Sequence, residues 1–223
     1  MRRLAMAILV GGLGCLVPAS LGVWQLQRLS WKEATIAAIE ARASSAPVAV
    51  PLIVSEAEHE YLPVRVAGNW GVGELHVLTS LKGKGPGYRV IAPFLTSDRR
   101  RILVDRGFVP QTAKEARRPV GGTELTGHLV WPDETDSFTP EPNLEGNIWF
   151  ARDVARMATA LETAPIMVSI ARSTALGAPT PLPVTVALPN NHLAYALQWF
   201  GLAIVWAVMT VYYLRRTRAK MRS

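Results

Sequence analysis

Two apolar runs, Leu4 to Val23 and Leu193 to Leu214, constrain this chain more than any other feature. At 1.5 Å per helical residue each extends roughly 30 Å, the hydrocarbon thickness of a bilayer, so both are expected to cross a membrane. The formal charge is +7, and the whole excess flanks these runs: Arg2 and Arg3 precede the first, while Arg215, Arg216, Arg218, Lys220 and Arg222 follow the second. Lys and Arg beside a span are retained on the cytoplasmic side, which puts both termini in the cytoplasm and the middle outside it. The stretch Trp24 to Asn191 carries 17 basic and 17 acidic side chains and is neutral. A nucleic-acid binder concentrates its basic residues on the folded part, so the expected partner at the ends is membrane lipid and not nucleic acid.

A cleaved signal peptide would resemble the first run, with Arg2-Arg3, an apolar core and small residues around Pro18-Ala19-Ser20. A lipoprotein signal at Cys15 is disfavoured, because Gly12 stands where a larger aliphatic is wanted. No Arg-rich, Ser-rich transit segment precedes the run, so a bacterial plasma membrane is expected. Cys15 is the only cysteine, which excludes an intrachain disulfide, a thiolate metal cluster and a Cys-x-x-Cys-His haem attachment. The expected layout is a first transmembrane helix within 1–23, an extracytoplasmic domain over 24–191, a second transmembrane helix over 192–214 and a basic tail over 215–223.

The middle is long enough for one ordinary core. Trp31, Ile36 and Ile39 recur among Ala, Glu and Lys, predicting a short helix over Trp31 to Ala43 that Pro47 and Pro51 end. Strand-like runs follow at Tyr61 to Val66, Leu75 to Leu81, Tyr88 to Leu95, Arg101 to Val104, Glu124 to Trp131 and Ile166 to Ile170, separated by Gly, Pro and Asp clusters. Asp153 to Leu161 places Val154, Met157, Ala158 and Leu161 on one helical face. The predicted fold is α+β: two transmembrane helices flanking a mostly antiparallel, β-rich domain with two short helices. Gly177 to Pro189 carries four prolines and reads as a stiff, extended connector with few hydrogen bonds of its own.

Gly83, Gly85 and Gly87 alternate before a strand-like run, and with no helix start after them they mark a hairpin turn, not a phosphate loop. No Gly-x-Ser-x-Gly elbow, His-Glu-x-x-His pair or Ser-x-x-Lys motif is present, so no enzymatic activity is expected. His59, His76 and His128 are separated from one another and from acidic partners, and are expected to be structural. His192 differs, because it stands at the outer mouth of the second span after Pro189-Asn190-Asn191. His192, Tyr195, Trp199, Trp206 and Tyr213 share one helical stripe that suits a flat macrocycle with a histidine on its iron. An aromatic belt at the membrane boundaries accounts for the same residues without a ligand. In the first span Ala7, Gly11, Cys15 and Ala19 recur every four residues and would let another helix approach, either the second span or a partner's.

Several segments together resemble the Surfeit locus protein family of cytochrome c oxidase assembly factors, in a bacterial form. Leu21-Gly22-Val23-Trp24-Gln25-Leu26-Gln27-Arg28 with Trp31-Lys32 resembles the family's entry motif, and reads as the continuation of a retained span. Ile102-Leu103-Val104-Asp105-Arg106-Gly107-Phe108-Val109-Pro110, Phe138-x-Pro140-Glu141 and Trp149-x-x-Arg152-Asp153 follow in family order. Asp105 stands where the family usually has Asn, and an ion pair with the adjacent Arg106 is expected from the added charge. Asn190-x-His192-Leu193-x-Tyr195-x-x-x-Trp199 resembles the second-span motif.

The resemblance implies a non-enzymatic, membrane-anchored factor that transiently holds haem a and aids its insertion into the catalytic subunit of the oxidase, with contact to that subunit and to haem a synthase. It implies His192 as the axial ligand of the haem iron, with Tyr195 and Trp199 against the ring. Trp24, Gln25, Arg28, Arg106, Gly107 and Trp149 are then structural or interaction positions. Arg106 is also a candidate for a haem propionate, although a structural role beside Gly107 is the favoured reading. A protein-only scaffold for an oxidase intermediate is the alternative.

Overall fold

The computed structural model describes residues 2–172, 177–184 and 190–222, without the side chains at 3, 4 and 220–222. In chain order the elements are α1 (Arg2–Ala43), β1 (Val48–Ala49), α2 (Glu56–His59), β2 (Pro63–Trp70), β3 (Leu75–Leu81), β4 (Gly85–Thr96), β5 (Arg101–Pro110), a 3-10 turn (Gln111–Ala113), β6 (Gly122–Val130), β7 (Ile148–Trp149), α3 (Val154–Ala160), β8 (Met167–Ile170) and α4 (His192–Arg222). They form two compact units, one from the chain ends (Met1–Ala38 and Val186–Ser223) and one from the middle (Ile39–Thr185).

The middle unit is a closed β-barrel with added edges. Strands β2, β6, β8, β5 and β4 pair in that order, and β4 returns to β2 through Gly68 to Trp70 against Phe94 to Thr96. Within the ring only β5 with β8 is parallel, so the predicted mostly antiparallel character holds. Closure removes the exposed edge that a five-stranded sheet would otherwise present. Alternate residues fill the interior: Val64 and Val66, Phe94, Ile102 and Val104, Leu125 and Leu129, Val168 and Ile170. On the outside of the ring, α3 and β7 cover a second core through Met157, Ala158, Leu161 and Trp149 against Ile91, Leu103 and Met167. Asp153 starts α3 by accepting a hydrogen bond from the Arg156 N–H at 3.0 Å.

All six predicted strands and the α3 helix are present. The predicted helix over 31–43 is not a separate element, because α1 runs unbroken for 42 residues from the first span to Ala43. Glu, Lys, Arg and Ala beyond Trp24 sustain the helix after the apolar run ends, and nothing between them breaks it. Gly83 and Gly85, at φ +82° and +78°, turn the β3–β4 hairpin as predicted. The predicted connector is partly anchored, since Thr180 exchanges backbone hydrogen bonds of 2.7 and 2.8 Å with Phe108 of β5. Its residues 185–189 lie outside the described ones.

The unit of chain ends is an antiparallel helix pair. Gly11 of α1 lies against Thr210 of α4, Gly14 against Trp206, Gly22 against Phe200, and Gln25 against His192. A Cβ on Gly14 would overlap the Trp206 indole, whose Nε1 donates to the Val10 carbonyl at 3.3 Å. Small residues are needed here because they let the two helix backbones approach closely, the packing that also suits helices in lipid. The predicted stripe of Ala7, Gly11, Cys15 and Ala19 is therefore only partly the seam. Spacings of three as well as four follow the helix period better and bring in Gly14 and Gly22. Both helices are long and apolar enough to cross a membrane, with mean hydropathies of 2.0 and 1.6 over their best windows. Only 11% and 6% of those windows is buried, unlike the core helices of a soluble domain.

Candidate functional site

At one end of the helix pair, Nδ1 of His192 lies 2.8 Å from Oε1 of Gln25. The two residues are 167 positions apart, on the first turn of α4 and midway along α1. With the amide oxygen facing the ring, Nδ1 is placed to donate to Gln25, and Nε2 is the nitrogen left for another partner. That is the arrangement of a metal-ligating histidine, whose second nitrogen is held by a neighbouring acceptor. Asn190, two residues earlier, has an Oδ1 shielded from solvent with no hydrogen-bond partner among the described residues. Trp199 is half-buried, whereas Tyr195 is 50% exposed. The expected stripe thus divides, with His192 bonded to Gln25 and Trp206 packed on Gly14 of α1, Tyr213 lining a cleft with Met6 and Val10, and Tyr195 exposed. Trp24 is exposed, and the Arg28 guanidinium stacks 4.6 Å above Trp31. The roomy apolar cleft of this pair, about 680 Å³, lies at the opposite end, between Met6, Val10, Met209 and Tyr213. His192, partly buried beside Gln25, lies away from that cleft.

The second cluster belongs to the middle unit. A bulge in β5 leaves Arg106 without a partner on β4, because Val90 faces Gly107 while Ile91 faces Asp105. Gly107 has φ +105°, and a Cβ there would overlap the Thr180 carbonyl, so glycine is required twice over. The expected Asp105–Arg106 ion pair is not formed. Consecutive strand residues point to opposite faces, and Asp105 turns away from the barrel interior, on the face of Leu103 and Ile91, to Arg89 at 2.8 and 2.9 Å and to Arg152 at 3.4 Å. Its other oxygen accepts the Gly107 N–H at 3.0 Å, and its side chain is fully buried.

Arg152 extends this network to Glu134, at 2.5 Å from Nη2. Burial opposes the charge of Glu134, but the hydrogen bonds and charge of Arg152 outweigh it and hold the carboxyl below its ordinary pKa. Burial likewise works against the charge of Arg152, and Glu134 and then Asp105 more than reverse it, so that its pKa is raised. Arg89 and Glu134 carried no mark in the sequence, since only the fold brings them to Asp105.

Arg106 itself lies over the Trp70 ring at 3.9 Å and donates from Nη2 to the Pro119 carbonyl at 2.7 Å. Trp149 is buried in the outer core and pairs with Val77. His76 was expected to lack an acidic partner, yet its Nε2 is 2.9 Å from Glu74 Oε1, two residues away on the same strand face. Burial pushes the Glu74 carboxyl up, and the hydrogen bond from His76 followed by the charge of Arg118 brings it below its ordinary value. His128 Nε2 bonds the Ala43 carbonyl at 3.0 Å, and His59 bonds only its own loop. Among the described residues no three His, Cys, Asp or Glu side chains gather as a metal site.

These features define a class: a closed β domain carried between two apolar end helices, consistent with a membrane anchor. The SURF1 family's sequence profile matches residues 13–204, which spans the helix pair and the barrel alike. This chain belongs to the SURF1 family. It is 33% identical over 213 residues to Surfeit locus protein 1 of Mus musculus, covering 84% of this chain and 70% of that one. It is 34% identical to a SURF1-like protein of Drosophila melanogaster, over 84% and 72% of the two chains. Surfeit locus protein 1 of Homo sapiens is 32% identical, over 82% and 69%.

Proposed function

We propose that this protein is a non-enzymatic assembly factor for cytochrome c oxidase. It would hold haem a as cargo at the end of its helix pair and aid the cargo's transfer to the oxidase's catalytic subunit. The observation that carries this reading is the His192–Gln25 hydrogen bond. It joins two family motifs distant in sequence and leaves Nε2, the ring nitrogen not turned to Gln25, as the donor a planar cargo's iron would take. The chain's own part is to keep His192 in one tautomer and orientation through Gln25 and to offer the half-buried Trp199 as an apolar surface beside it.

The topology that suits this role has both termini in the cytoplasm and the β domain outside a bacterial plasma membrane. The basic residues at both ends support it, and the antiparallel helix pair returns the chain to the side from which it started. The β domain is then the surface for the nascent subunit or haem a synthase.

The test is the visible spectrum of full-length protein purified in neutral detergent from cells that make haem a, compared with His192→Ala and Gln25→Leu. Haem occupancy should be lost in His192→Ala and fall roughly ten- to hundredfold in affinity in Gln25→Leu, as when an outer-shell partner of a ligand is removed. Equal occupancy in wild type and His192→Ala would sink the ligand assignment. Unchanged oxidase activity in that variant, with loss on lesion of Trp149, would favour a protein-only scaffold.

A further inference from the structure

Arg106 is 5% exposed, and among the described residues it has no ion pair. Its neighbours in the chain have their partners, Asp105 in the Arg89–Arg152 network and Gly107 on Asp105, while Arg106, among the described residues, has Glu74 as an electrostatic neighbour but no carboxylate in contact. Burial lowers its pKa to about 10, with Glu74 pulling upward and Arg118 adding to the fall. Burying a cation with no carboxylate in contact is unfavourable, and an anion bound beside it would offset that cost.

The guanidinium borders a half-enclosed cavity of about 260 Å³, whose wall includes Trp70, Thr123, Glu124, Ile170 and Arg172. Arg172 is exposed at the rim and forms no ion pair with any described residue. Glu124 at the mouth is bound to Arg65 at 3.0 Å. We propose that this cavity binds a carboxylate, with Arg106 as its floor, Trp70 stacked beneath the guanidinium, and Arg172 as a second cation at the entrance.

Three observations select the ligand class. One Nη of Arg106 is occupied by the Pro119 carbonyl, which leaves a planar edge of N–H donors that matches a carboxylate better than a tetrahedral phosphate. The Glu124 carboxylate disfavours a dianion. The volume lies below the roughly 300–1,000 Å³ of ordinary small-molecule sites, and suits a short-chain acid or the tip of an acidic side chain. The site is independent of His192 and stands or falls without it.

Full-length protein in neutral detergent is titrated with sodium propionate and read by saturation-transfer NMR, with propionamide as the neutral isostere. Propionate should bind and propionamide should not. Arg106→Gln should lose at least about tenfold in affinity, the effect of one charge-assisted hydrogen bond, and Arg172→Gln a smaller part. Arg172 is exposed and its side chain makes no hydrogen bond or ion pair with a described residue, so its variant stays informative even if Arg106→Gln fails to fold. Propionate binding unchanged in Arg172→Gln, equal binding of propionamide, or displacement of propionate by lower concentrations of inorganic phosphate would each overturn the proposal. A blocked Gly-Glu-Gly peptide that displaces propionate, where Gly-Gln-Gly does not, would assign the carboxylate to a polypeptide partner. Failure of both peptides would assign it to a free acid.

Discussion

Replacing Asp105 by Ala removes, among the described residues, the carboxylate paired with Arg89 and one of the two paired with Arg152. The side chain of Asp105 is fully buried, and those of Arg89 and Arg152 are 16% and 14% exposed, so water cannot substitute for it. Breaking a buried pair by deleting one partner costs about 3–5 kcal/mol, because a charge is left unmatched. For a domain of this size each kcal/mol lowers Tm by roughly 2–4 °C, which makes a fall of about 10 °C the expected result. Asp105→Asn keeps the acceptor for the Gly107 N–H and a neutral contact to Arg89, and should lose about half as much. Joint replacement by Asp105→Leu with Arg89→Met should recover most of the loss, since well-packed apolar groups often replace a buried pair at little cost. Far-UV circular dichroism melts of the full-length protein in neutral detergent measure all three. A Tm within about 2 °C of wild type for Asp105→Ala, or additive effects of the two single changes, would show that the network does not hold the barrel.

Gly107→Ala meets both a disallowed φ and the Thr180 carbonyl, and should cost at least about 2 kcal/mol, read as a lowered melt and as proteolysis after Thr180 becomes free. In a Cys15→Ser background, Gly11→Cys with Thr210→Cys should cross-link within the chain under oxidation, and adding Gly14→Leu should abolish that link by displacing Trp206; an unaffected yield would refute the seam. Glu134 and Glu74 have folded pKa values below the ordinary 4.5, so the stability they add is complete above that value and is lost as pH falls through the lower folded values. Acid melts should therefore flatten below about pH 4.5 in Glu134→Gln, and an acid limb identical to wild type would count against the Arg152 pair.

What the sequence determined alone was everything that a local pattern can carry. Twenty-residue apolar runs mark helices long and apolar enough to cross a membrane, and β-branched alternation marked each strand of the ring, because burial on one face of a strand recurs every second residue. The family motifs were legible for a related reason, since Gly107 or His192 stands at a position where one residue type does one job. The tertiary structure decided the pairings. Asp105 beside Arg106 looks like an ion pair in one dimension, but the strand's pleat sends the two side chains to opposite faces, toward Arg89 and Trp70. The barrel closes through β2 with β4 and β5 with β8, contacts that no local periodicity encodes. Gln25 reaches His192 only because two helices pack antiparallel on glycines, at a register that depends on how Trp206 and Phe200 fill the spaces those glycines leave.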